Sequence, residues 1–148
     1  MRIEQPFPKE STPQSTHLFV SKSGASYDVY KLIDHAKDIK PVKVEVLDLE
    51  GELNRNCWID TTGQKFSPQD LLSIYATQGS LVNVRKVRPE WRENILKIDS
   101  ANYTDYPILI YNYTVVDGMH RLLKAKLDGV KDMYVKILDK LPESTKHP

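Results

Sequence analysis

Cysteine occurs once in the 148 residues, as Cys57. One thiol cannot build an internal disulfide framework or a multi-cysteine metal site. A surplus of one charge is lacking too. The 21 Lys and Arg residues face 20 Asp and Glu residues, for a formal net charge of +1. No global field draws the chain to nucleic acid or to a membrane, so any anion site must be local. No apolar run approaches the roughly 20 residues that span a bilayer. The opening "MRIEQPFPKESTPQSTH" has no apolar core of a secretory signal. An intracellular, cytoplasmic protein without a membrane partner is the expectation.

What is present suits one domain of useful core size. Hydrophobic residues make up 40% and charged residues 28%, ordinary for a globular chain. Residues 1–16 are rich in Pro, Ser, Thr and charge and read as a flexible tail. The domain is expected over 17–140, and a second flexible tail over 141–148. "HLFVS" reads as a strand and "KSGAS" as a turn. Val29, Leu32, Ile33 and Ala36 stand at helical spacing, and Pro41 ends that helix. "VKVEVLDL" (42–49) alternates and predicts a half-buried strand, and "EGELNRN" (50–56) predicts a turn. Ser67, Pro68 and Asp70 mark a helix start, and Gly79 a left-handed stop. "SLVNVRKV" (80–87) reads as a short strand, and "RPEWRENILKIDSA" as a helix burying Trp91, Ile95 and Ile98.

Two β segments follow, 107–111 and 113–116, split by a tight turn near Asn112. A helix over about 118–128 ends at Gly129, and a strand covers 132–138. The helix between 113–116 and the last strand suits a β-α-β crossover. The fold class is α/β or α+β: a single small domain with a mixed β-sheet and flanking helices.

The chemistry is concentrated in "VVDGMHRLLKAKLDG" (115–129). Met119, Leu122, Leu123 and Leu127 form an apolar stripe, leaving His120, Arg121 and Lys124 off it. His120 and Arg121 fall in the first helical turn, where free N–H groups and the positive dipole end disfavour cations. A bound anion reverses that sign. It would accept from the backbone of Gly118, Met119, His120 and Arg121 and pair with the imidazole and guanidinium. Gly118 would let a phosphate approach the backbone. A ligand-free account also exists: Asp117 caps the helix and pairs with Arg121, four residues on.

"YPILIYNYTVVDGMHRLLKAKLDGVKDMYVKIL" resembles the core of the ParB N-terminal-like/sulfiredoxin-like superfamily. Pro107, Asp117, Gly118, His120, Arg121, Ala125, Gly129 and Val135 stand in that pattern. The likeness covers 106–138 and extends loosely to "KPVKVEVLDLEGE"; residues 55–105 have no counterpart. It implies nucleotide phosphates bound at the Asp-Gly-x-His-Arg turn. It leaves the reaction open, because members include sulfiredoxins, free serine kinases, partition proteins and nuclease-like relatives. A sulfiredoxin needs a cysteine where Met119 stands, and Cys57 is expected to be a small buried side chain. A partition protein needs a helix-turn-helix module after the last strand, where about ten residues remain.

The kinase-like reading implies ATP or ADP, with CTP as the alternative, together with Mg²⁺ and a small hydroxyl-bearing substrate. Asp117 would orient His120 or approach the metal. Glu45, Glu50 and Glu52, in the region similar to the family's acidic loop, are candidate bases. The alternative reading is a nucleic-acid-binding or nuclease-like protein using Arg85, Arg88 and Arg92. No metal-ligating set is expected from the protein itself, since His17, His35 and His147 lack partners at ligand spacing. Tyr103, Tyr106, Tyr111, Tyr113 and Tyr134 suit core and rim packing, with one able to cover a base.

Overall fold

The computed structural model describes residues 17–148; the tail expected over 1–16 lies outside them. Asp28 ends a small antiparallel hairpin, β1 (Leu18–Val20) and β2 (Ser26–Asp28), and starts α1 (Val29–His35). Its carboxylate accepts from the N–H of Tyr30 at 2.9 Å and of Lys31 at 3.3 Å, a side-chain cap.

The central sheet has four strands in the order β3-β8-β6-β7. They are β3 (Val42–Glu45), β8 (Asp132–Leu138), β6 (Ile108–Tyr111) and β7 (Thr114–Asp117). β8 runs antiparallel to β3 and parallel to β6, and β7 returns antiparallel on β6. Asn112 and Tyr113 form the β6–β7 turn with φ of 52° and 63°, the twist a tight hairpin requires. The crossover expected from 113–116 to 132–138 is corrected here. β7 is not the parallel neighbour of β8; the chain passes from β7 over β6, and β6 and β8 make the parallel pair.

Strand alternation feeds two cores, one per face. Ile108, Ile110, Val115, Met133 and Val135 face a cluster with Leu122, Leu123, Ile95, Ile98, Trp58 and Trp91. Leu109, Val116 and Leu138 face Phe19, Tyr27, Val29 and Leu32. Leu122 and Leu123 are fully buried on α5 (Met119–Asp128), each worth about 1.5–3 kcal/mol of transfer free energy.

The first cluster is walled by α2 (Pro68–Gln78), α3 (Leu81–Val87) and α4 (Arg92–Asp99), after a short hairpin of β4 (Trp58–Ile59) and β5 (Lys65–Phe66). The start of α2 is a capping box of Ser67 and Asp70, and Gly79 ends it at φ 82°. Residues 80–87 are helical, against the strand expected there. Ser80 caps α3 by accepting from the N–H of Asn83, and only Val84 is buried. A Val-rich run of about two turns is ambiguous by periodicity, and the cap decides it. The strand expected through Leu49 stops at Glu45 and continues as a 3₁₀ segment, Val46–Asn54, that buries Val46, Leu49 and Leu53.

The 141–148 tail, expected to be flexible, is docked. Thr145 is buried, Lys146 bridges Tyr27 of β2, and the N–H of His147 donates to the carbonyl of Ser26.

Candidate functional site

β7 delivers Asp117 to the start of α5, and Gly118 turns the chain at φ 117°. Among the described residues, no side chain caps this helix. A Cβ at Gly118 would lie 2.5 Å from Cγ2 of Ile108 and 3.0 Å from Nη2 of Arg121. The glycine is therefore required by close packing against β6 and by its own φ. The side left open by its missing Cβ faces protein, not a ligand, which corrects the expectation that it admits a phosphate.

Arg121 was expected off the apolar stripe, reaching for an anion. It is 6% exposed. Its Nη2 donates to Oδ2 of Asp117 at 2.7 Å, and its Nη1 donates to the carbonyls of Tyr106 at 2.8 Å and Pro107 at 3.1 Å. The guanidinium is spent tying α5 to β7 and to the entry of β6. The ligand-free ion pair between positions four apart is the arrangement found. One atom is not accounted for. Among the described residues, Oδ1 of Asp117 is buried without a hydrogen-bond partner, a costly state for a carboxylate oxygen.

His120 is corrected as well. Its ring stacks on Trp58, with centroids 4.5 Å apart and planes 12° apart. Its Nε2 lies 2.9 Å from Oδ1 of Asn94. Burial first, then the charges of Lys97, Arg121 and His17, push its pKa down to about 3. At neutral pH it is an uncharged ring and supplies no cation to an anion.

His17 joins the site from the chain entering β1. Burial lowers its pKa, Asp117 opposes that shift, and Lys97 assists it. Tyr30 stands edge-on to His17 at 6.0 Å. Burial and the charge of Asp117 raise the Tyr30 pKa. Lys97, exposed on α4, is the positive charge felt by both histidines. Asn94, Lys97, His17 and Tyr30 were not among the sequence candidates. A readable signal existed for Asn94 alone, a polar residue in register with Trp91, Ile95 and Ile98.

The acidic candidates are scattered. Glu45 is exposed on β3, three strand steps or about 14 Å from β7. Glu50 pairs with Lys126, about 10 Å along α5 from its first turn. Glu52 is structural. Its Oε1 accepts from the N–H of Val115 at 2.6 Å and from Arg55 at 2.7 Å, while Arg55 donates to the carbonyl of Val115 at 3.0 Å. The two side chains satisfy the outer peptide of edge strand β7 as a fifth strand would. None of the three reaches the start of α5 as a base.

Among the other candidates, Arg88 lies over the Trp91 ring at 5.0 Å and pairs with Glu90, and Arg92 donates to the carbonyl of Pro89. Arg85 is exposed on α3. Cys57 is an exposed residue rather than a buried one, yet its thiol is desolvated enough to rise to about 11, so it stays protonated. Among the described residues, no three His, Cys, Asp or Glu side chains form a metal-binding group, and no helix is long and apolar enough to cross a membrane.

Mixed α+β architecture in a single small domain is thus the class that the fold defines. Comparison with known proteins finds no matching family model, no matching curated protein and no matching solved structure.

Proposed function

We propose that the chain is a nucleotide-phosphate-binding domain of the ParB/sulfiredoxin-like kind, acting in phosphoryl transfer to a small hydroxyl-bearing substrate. Its seat is the amino end of α5. The observation that carries this reading is the pairing of opposite needs at one point. Among the described residues, a helix start without a side-chain cap offers N–H donors, and Oδ1 of Asp117 beside it lacks a donor.

A phosphate answers the first need. A ligand hydroxyl, or Mg²⁺ arriving with ATP, ADP or CTP, answers the second. Mg²⁺ is compatible with the donor set, because it is commonly held by one or two carboxylates plus substrate phosphates. Bound with the nucleotide, it would neutralise charge on the transferring group. The phosphate is gripped by the backbone of Met119, His120 and Arg121, with Lys97, whose charge already acts on His120, as a nearby cation. The Arg121 guanidinium has no part in that grip.

Thermal unfolding with ATP, ADP and CTP, each with and without Mg²⁺, tests the reading. One nucleotide is expected to raise the midpoint. Lys97→Ala, at an exposed position, should weaken that nucleotide several-fold and leave the ligand-free midpoint unchanged. If no nucleotide moves the midpoint, the reading falls.

A further inference from the structure

Asn94 is a buried polar residue on the apolar side of α4. A buried primary amide has both donors and an acceptor to satisfy. Its Nδ2 donates to the carbonyl of Ile59, at the end of β4, at 3.3 Å. That bond sets which end of the amide faces His120. Oδ1, an acceptor only, then stands 2.9 Å from Nε2 of the ring. Two acceptors at that separation repel, so Nε2 carries the hydrogen. The ring face is held too, stacked on Trp58. Turning the ring to exchange its nitrogens would break the hydrogen bond and disturb the stack together.

We propose that Asn94 is a positioning residue: by accepting the Nε2 hydrogen of His120, it leaves Nδ1 bare as a hydrogen-bond acceptor beside the amino end of α5. The inference rests on the reading of that helix end as a phosphate seat, and it narrows the ligand. His120 in this tautomer cannot donate to a phosphate oxygen from Nδ1. Oδ1 of Asp117, closed off from solvent, is a second acceptor without a partner among the described residues. The first-turn amides are donors. A simple phosphate ester satisfies the amides and neither acceptor. An ester that also carries a free hydroxyl satisfies the amides and supplies a hydrogen to Nδ1 of His120. The ligand class is a hydroxyl-bearing phosphate ester.

The charged groups facing the ring come from three elements: Lys97 on α4, Arg121 on α5, and His17 ahead of β1. All three oppose protonation of His120, and so does its burial. Neutrality and tautomer therefore act together.

Proton–nitrogen correlation NMR of the ligand-free full chain reads the tautomer directly. His120 is expected to show a protonated Nε2 and a bare Nδ1, with no titration between about pH 5 and 8, the range in which an ordinary imidazole charges. Asn94→Asp places a carboxylate against Nε2 and should bring the titration into that range. Asn94→Leu should let the two tautomers mix. A protonated Nδ1 in the native chain, or an unchanged tautomer in folded Asn94→Leu, overturns the proposal.

Binding of ethyl phosphate and of 2-hydroxyethyl phosphate tests the ligand class. The hydroxylated ester should bind several-fold more tightly. The preference should vanish in His120→Phe, which keeps a ring to stack on Trp58 but has no acceptor in the place of Nδ1. Equal affinity in the native chain overturns the class. If neither ester binds, the phosphate seat itself is wrong, and the NMR result still decides the role of Asn94.

Discussion

Nη2 of Arg121 lies 2.7 Å from Oδ2 of Asp117, with the two side chains 7% and 3% exposed. Both charges are out of water, so each depends on the other for its stability. Breaking such a pair from one side costs about 3–5 kcal/mol, because the surviving charge stays buried. Arg121→Met should therefore lower the unfolding free energy by about that amount, measured by urea denaturation. Combining it with Asp117→Asn removes the stranded charge, and the double variant should recover about 1 kcal/mol or more relative to the sum of the singles. Singles that simply add would show that the pair is not coupled. Loss of ligand response in an Arg121 variant would report lost folding before it reported a lost ligand contact.

Stability should fall in mild acid. The sign follows from His120, whose native pKa is pushed from 6.5 down to about 3. Below about 6.5 the unfolded chain takes up a proton that the native chain refuses, so the unfolded state gains. The stabilisation is complete above about 6.5 and is lost progressively as the pH falls toward about 3. His17, lowered by burial, adds with the same sign. Between about pH 6.5 and pH 5, His120 alone should remove about 2 kcal/mol. Urea midpoints across that range measure it. His120→Gln, which has no imidazole to protonate, should flatten the slope, and an unchanged slope would place the acid sensitivity elsewhere.

Glu52 and Arg55 should matter to the edge of the sheet and not to any reaction. Glu52→Ala strands the N–H of Val115, which Oε1 meets at 2.6 Å. An unpaired, partly buried donor costs about 1–3 kcal/mol. Hydrogen exchange of the Val115 amide should accelerate strongly, with amides of β3 much less affected. Exchange unchanged at Val115 would remove the edge-sealing role.

The sequence carried the parts that local physics controls. Ser67, Pro68 and Asp70 announce α2, and Gly79 ends it, because caps and a left-handed stop are satisfied within a few residues. The continuous apolar run of Ile108, Leu109 and Ile110 after Pro107 announces β6, and the placement of those side chains on two faces follows from strand geometry. Residues 81–87 are helical although a short run of Leu and Val fits either period, and the Ser80 cap decides between the two.

The start of α5 shows where such reading stops. Asp117, Gly118, His120 and Arg121 were legible as a cluster from their order alone, and a strand-turn-helix junction was legible around them. Which way each side chain turns was not. Arg121 points inward because the carbonyls of Tyr106 and Pro107 wait there, supplied by the segment entering β6, fifteen and fourteen residues earlier. His120 is neutral because its packing against Trp58 and Asn94, from β4 and α4, removes it from water. Charge state, tautomer and ion pairing depend on neighbours distant in sequence, and only the packed chain sets them.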